Sequence, residues 1–209
     1  MGKPGVTCDA CNQYFGQKVE SKALMSFPFI GHRIFTGVPT KKGRMPQTLG
    51  SLGTVMATGQ IGAIELEPRT EELRIRVKAG EVTEMRLIAE ITEPLAVCRM
   101  LLKIGLELLG KYFYETARSE RVAAAREFAR RPKRGSGWWF VIKSTPEEYL
   151  SIPYDTQSSS IEIIETRGVL CSVMRMPGVS TMIPLELGLS PPIALGNHDP
   201  YVRVIRCSC

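Results

Sequence analysis

The run Thr92-Glu93-Pro94-Leu95-Ala96-Val97-Cys98-Arg99-Met100-Leu101-Leu102-Lys103-Ile104-Gly105-Leu106-Glu107-Leu108-Leu109-Gly110 opens like a helix and is too apolar to lie on a surface. Proline is tolerated in a first helical turn, where its missing N–H would have no intrahelical partner anyway. Leu95, Cys98, Leu101, Leu102, Leu106, Leu108 and Leu109 then leave few polar sides, so the spacing predicts a central buried helix. Gly110 is the expected stop. Lys103, Gly105 and Glu107 interrupt the apolar run, which keeps it from reading as a membrane span.

Working outward, short β-branched runs at residues 61–66, 73–77 and 85–91 are separated by turn-forming residues and predict an antiparallel meander. Downstream, Ser119 as cap and Pro132 as terminator predict a second helix over 119–131, completing a helical region at 94–131. A basic link, Arg130-Arg131-Pro132-Lys133-Arg134-Gly135-Ser136-Gly137, leads into strands expected at 138–142, 161–165, 169–174, 182–187 and 202–207. The fold class that follows is α+β, an antiparallel-sheet domain over 46–209 with the buried helix at its centre. At the other end, residues 8–25 read as a short helix with Cys11, Phe15 and Val19 on one side, closed by Phe27-Pro28. Residues 28–46 are expected to be less regular, with Gly37, Pro39, Gly43 and Pro46 as breakers and a basic cluster at Lys41, Lys42 and Arg44.

The composition, 44% hydrophobic and 23% charged over 209 residues, supports a packed core rather than disorder. A net charge of +6 favours an anionic partner, nucleic acid first, because Lys and Arg gain affinity by neutralising phosphates. An ordinary basic surface is the competing explanation. The six cysteines form two close pairs, Cys8/Cys11 and Cys207/Cys209, and two singles in apolar stretches, Cys98 and Cys171. With no signal-like apolar run at the start and no spanning stretch, the expectation is a cytoplasmic protein away from membranes, in which cysteine pairs point to metal before disulfides.

A bare C-x-x-C supplies only two of the four ligands that zinc requires. Its continuation, Cys8-x-x-Cys11-Asn12-x-Tyr14-Phe15-Gly16-x-Lys18-x-Glu20, resembles the last segment of the HNH endonuclease families, where a second cysteine pair opens the helix of a ββα-metal fold. The residues that follow, including His32-Arg33 and Gly37-Val38-Pro39-Thr40-Lys41-Lys42-Gly43, look like the basic segment of bacterial and phage members with a long C-terminal extension. The resemblance implies a partial ββα-metal motif over 1–45 and an endonuclease that hydrolyses DNA phosphodiesters. It implies Asn12 as the catalytic residue that helps hold magnesium, or another divalent cation, on the scissile phosphate. It also implies Cys8 and Cys11 as half of a structural zinc site. Lys18, Lys41, Lys42, Arg44, Arg130, Arg131, Lys133 and Arg134 are the expected DNA contacts.

The departure from the family pattern is at the start. The family's general-base His, its neighbouring metal ligand and the other cysteine pair all precede the segment matched here. Residues 1–7 contain no Cys, His, Asp or Glu. The expectation is therefore an N-terminally truncated HNH endonuclease, with the alternative of a non-catalytic DNA- or protein-binding module derived from one. His32, on the wrong side of the motif, and His198, in a turn-rich stretch, read as histidines without a chemical role. Cys207 and Cys209 could complete a zinc site with Cys8 and Cys11 if the termini meet; a frayed tail is the alternative. Trp138-Trp139-Phe140 could stack on bases, but their strand-like spacing favours the core. The Arg-rich helix could follow a DNA backbone or simply be a solvated face, since Glu115, Glu120 and Glu127 interleave with it.

Overall fold

The computed structural model describes residues 9–40, 42–82, 90–144, 159–191, 199 and 201–209. In chain order its elements are α1 (Asp9–Phe15), a π-helical turn (Gly16–Glu20), α2 (Ser21–Ala23), α3 (Phe29–Thr36), β1 (Gln47–Leu49), β2 (Gly53–Ala57), β3 (Ile64–Pro68) and α4 (Glu71–Lys78). There follow α5 (Pro94–Tyr112), α6 (Tyr114–Arg118), a 3₁₀ turn (Glu120–Val122), α7 (Ala123–Arg130), β4 (Gly137–Ser144), β5 (Ser160–Thr166), β6 (Val169–Met176), β7 (Val179–Pro184) and β8 (Val202–Ser208). The molecule is α+β, as the sequence predicts. Its described residues fall into two units, one holding those through Ala23 and from Glu93 onward, the other those within Leu24–Thr92. Packing thus groups α1 with the long helix rather than with residues 24–45.

In the first unit α5 is the expected central helix. It touches all five strands of an antiparallel sheet ordered β5-β6-β7-β4-β8. Val97, Cys98, Leu101, Leu102, Leu106 and Leu109 are buried, which removes most of its apolar side chains from water at roughly 1.5–3 kcal/mol each. The helix runs two residues past Gly110, and Phe113 breaks it with φ −134° and ψ 62°, outside the helical region. The second predicted helix is divided. Ser119 donates its hydroxyl to the Thr116 carbonyl instead of capping a helix start, and a 3₁₀ turn separates α6 from α7.

All five strands expected after residue 137 form, each within a few residues of its predicted bounds. Trp138, Trp139 and Phe140 are core residues on β4. The Trp138 indole donates to the Pro184 carbonyl at 2.9 Å and the Trp139 indole to the Leu189 carbonyl at 3.1 Å. Alternation sends Trp139 and Val141 to one face, with Val202, and Trp138 to the other, where its ring lies 5.5 Å from Phe128. Cys207 of β8 is also buried. Its thiol donates to the Pro94 carbonyl at 3.3 Å and accepts a hydrogen bond from Cys98, whose own titration is pushed well up by burial and then by that bond. Burial, with the charge of Glu186, pushes the Cys171 thiol up to about 11.

The second unit is a three-stranded antiparallel sheet, β1-β2-β3, with Ile30 and Ile34 of α3 packed on Val55, Ile64 and Leu66. Two corrections arise here. Residues 28–46 are not all irregular: Phe29–Thr36 is helical and closes on Gly37, whose φ of 64° is the left-handed conformation glycine adopts at low cost. Residues 73–77 are not a strand but part of α4. The Thr70 side chain accepts from the Leu73 amide, Glu71 and Glu72 occupy the first turn, and Arg76 and Lys78 the last. Cap and dipole complementarity outweigh the alternation of Leu73, Ile75 and Val77, and Ile75 is left 62% exposed. The meander is instead built from β1, β2 and β3, of which only β3 overlaps a predicted strand. Of the third expected strand, 85–91, residues 85–89 lie outside the described residues and residues 90–91 are not in a strand.

Gly105 sets how closely α5 approaches the sheet. A Cβ there would sit 2.7 Å from Ser172 Cβ and 2.9 Å from Leu185 Cδ2. Gly105→Val is expected to lower stability by about 2 kcal/mol in urea unfolding, because it forces helix and sheet apart. Gly31→Ala in α3, where a Cβ would meet nothing within 4 Å, is expected to be neutral or stabilising by up to about 1 kcal/mol.

Candidate nucleic-acid interface

The helices of the first unit enclose an open cleft of about 780 Å³, and its cationic lining comes from elements far apart in sequence. Its wall on the α1 side holds Cys11 and Phe15. α5 contributes Lys103 and Glu107, α6 Tyr114 and Arg118, and the end of α7 Arg130, followed by Arg131. Phe15 is buried, and Lys103 Nζ stands 5.8 Å from its ring. The π-helical turn after Phe15 widens the helix by one residue per turn and carries Glu20 to within 3.2 Å of Lys103. Lys103 also pairs with Glu107 at 3.0 Å. Burial lowers the Lys103 pKa, but the hydrogen bonds and charges of Glu107 and Glu20 outweigh it, so the ammonium is held above its ordinary range.

The position of α7 depends on Arg99, a buried guanidinium on α5. Its Nε donates to the Ala129 carbonyl at 2.8 Å, and its Nη2 to the Arg130 carbonyl at 2.8 Å and to the Tyr14 hydroxyl at 3.0 Å. These carbonyls belong to the last turn of α7, which has no intrahelical donors for them, and the positive charge complements the helix dipole there. The rings of Tyr14 and Phe15 lie 5.6 and 5.9 Å from Arg99 Cζ. One side chain therefore ties α1, α5 and α7 together. Arg126 does the same at shorter range, donating to the carbonyls of Ala117 and Ser119 and so fixing the end of α6.

The lining cations divide by occupation. Lys103 is neutralised by two carboxylates, and Arg126 is committed to backbone carbonyls. Lys133, two residues beyond Arg131, pairs with Glu127 at 2.6 Å, which holds its pKa up. Arg118, Arg130 and Arg131 are exposed and form no ion pair among the described residues. The cleft thus keeps unneutralised guanidinium groups facing solvent, suited to phosphate oxygens.

The other predicted site residues lie elsewhere. Asn12 is exposed on α1 beside Cys11, and Lys18 is exposed on the π-helical turn. Arg134 is exposed in the turn before β4. Lys42 and Arg44 belong to the second unit, in a loop closed by the Thr40 and Arg44 backbones at 2.8 Å. His32 is also there, half-buried, its pKa lowered by burial. Cys8, Lys41 and His198 lie outside the described residues. Among the described residues no three His, Cys, Asp or Glu side chains gather into a group able to hold a metal ion. Cys207 is buried against Cys98 and Pro94, and Cys209 is directed at the Pro132 carbonyl. No described helix is long and apolar enough to cross a membrane.

Sequence reasoning did not find Arg99 or Tyr114. Arg99 was hidden by its apolar neighbours, although a lone Arg in such a run is itself a signal, since burying a charge requires partners. Compared with known families, curated proteins and solved structures, the chain matches no family model, no curated protein and no solved structure.

Arg99→Leu is expected to cost about 3 kcal/mol in chemical denaturation, since it strands two carbonyls and a hydroxyl that a charged donor now satisfies. Arg99→Lys is expected to recover less than half of that, because an ammonium cannot span three acceptors with the planar fork of a guanidinium.

Proposed function

We propose that this chain is a DNA-binding protein of HNH-endonuclease descent, and that its 209 residues grip the phosphate backbone without cutting it. The observation that supports the reading is that Cys11 of the motif and Arg130-Arg131 of the basic turn line one cleft. Two signals that were independent in the sequence thereby become one surface. Phosphates would be held by guanidinium groups that, among the described residues, spend no charge on carboxylates, while the buried Arg99 keeps the end of α7 in place.

The test is fluorescence anisotropy with a labelled DNA duplex across a salt series. The affinity is expected to fall steeply with salt, and Arg130→Ala with Arg131→Ala is expected to reduce the slope of log K against log salt by about 2. Lys133→Ala, which removes a cation already paired with Glu127, is expected to change the slope by much less. Absence of binding at low salt, or an arginine pair that makes no difference, would overturn the reading.

The catalytic reading is supported by a different observation, the Cys8-x-x-Cys11-Asn12 signature with Asn12 exposed on the helix. It requires zinc on the cysteines and a divalent cation near Asn12, and the described residues bring no further ligands to either. If it holds, mass spectrometry of the native chain finds close to one zinc and magnesium-dependent nicking disappears in Asn12→Ala. A zinc-free chain with no nicking activity leaves binding alone.

A further inference from the structure

Tyr114, on the wall of the cleft, is the last of three consecutive aromatic residues, Tyr112, Phe113 and Tyr114, exposed by 62%, 57% and 46%. They occupy the break between α5 and α6, where Phe113 ends one helix and precedes the next. Most other aromatics of this unit, among them Phe15, Phe128, Trp138, Trp139 and Phe140, are buried. Three adjacent rings left exposed are therefore an exception among the described aromatic residues of this unit.

Their setting is cationic. Lys111 Nζ lies 4.9 Å from the Tyr112 ring centroid, and Arg118 Cζ lies 5.4 Å from that of Tyr114. The Arg118 Nη1 also donates to the Tyr114 hydroxyl at 3.2 Å, which fixes the orientation of that ring. Tyr114 and Arg118 line the same cleft as Arg130 and Arg131. A duplex presents its phosphates outward but keeps its bases stacked, so it would use the arginines and leave the rings idle. A single strand offers both a charged backbone and open base faces, matching both halves of this surface.

We propose that Tyr112, Phe113 and Tyr114 form a stacking platform for unpaired bases, and that the ligand of the cleft is single-stranded DNA. The inference rests on the DNA-binding reading above and narrows it to one form of the nucleic acid. Bases stack on the aromatic triplet while the adjacent backbone runs past Arg118 towards Arg130 and Arg131. Because stacking accepts any base, recognition is tolerant of sequence.

The experiment is anisotropy of the full chain with a labelled thymidine oligodeoxynucleotide of about 12 residues, its duplex with the adenine complement, and the matching uridine strand. The single DNA strand is expected to bind at least about tenfold more tightly than the duplex. Tyr112→Ala, Phe113→Ala and Tyr114→Ala are each expected to weaken single-strand binding by about 5- to 100-fold and to move duplex binding by less than about twofold. Tyr112→Phe keeps a ring and is expected to bind as the unsubstituted chain does, which separates stacking from a change in fold. Equal affinity for strand and duplex, or alanine variants that leave single-strand affinity unchanged, overturns the platform. If Arg130→Ala with Arg131→Ala still weakens duplex binding in that case, DNA binding stands and only the platform falls. Preference for the uridine strand overturns the assignment to DNA. No binding to any of the three overturns both readings.

Discussion

A buried cation without a carboxylate partner among the described residues holds the helical half of the first unit together. Arg99 lies on the central helix, 9% exposed, and its charge is met by the carbonyl ends of a helix dipole and one phenol. Such a group would be costly to bury if any of those acceptors moved away. The requirement works in both directions: the acceptors hold the guanidinium, and the guanidinium fixes where α7 ends and how α1 lies on α5. This exchange of hydrogen bonds joins the burial of Phe15, Leu106, Phe128 and Ala129 in setting the walls of the cleft.

Beneath it, the sheet side of the unit is organised by close approach. Gly105 lets α5 lie against Ser172 and Leu185, and the thiols of Cys98 and Cys207 continue the contact as a hydrogen-bonded chain ending on Pro94. Cysteine here behaves as a small buried side chain with a weak donor, and burial keeps the Cys98 and Cys171 thiols protonated. The C-terminal C-x-C is divided by the end of the strand: Cys207 is buried on β8, whereas Cys209 lies just past its last residue, Ser208, and is exposed.

The long helix and the five strands of its sheet were legible because each carries a repeated signal over many residues. Leucines at helical spacing and β-branched runs between turns state which face is buried, whatever lies opposite. The short elements were less legible. In α4, Leu73, Ile75 and Val77 alternate as a strand would, and only the Thr70 cap with its following glutamates argues otherwise. α3 was obscured by the breakers around it. Trp138-Trp139-Phe140 and Tyr112-Phe113-Tyr114 are similar as strings, yet the first is core and the second lies in water, since one sits within a sheet and the other at a helix break.

The sequence by itself determined the α+β class, the buried central helix, the strands that follow it and the basic character of the Arg130-Arg131 turn. Those properties reside in local periodicity and charge, which a linear string displays in full. Only the tertiary structure decided that Cys11 and that turn line one cleft, that Lys103 and Lys133 are already neutralised, and that the arginine among leucines ties α1, α5 and α7 together. These are relations between residues distant along the chain. Which charges are spent internally and which remain for a partner depends on the distances folding creates.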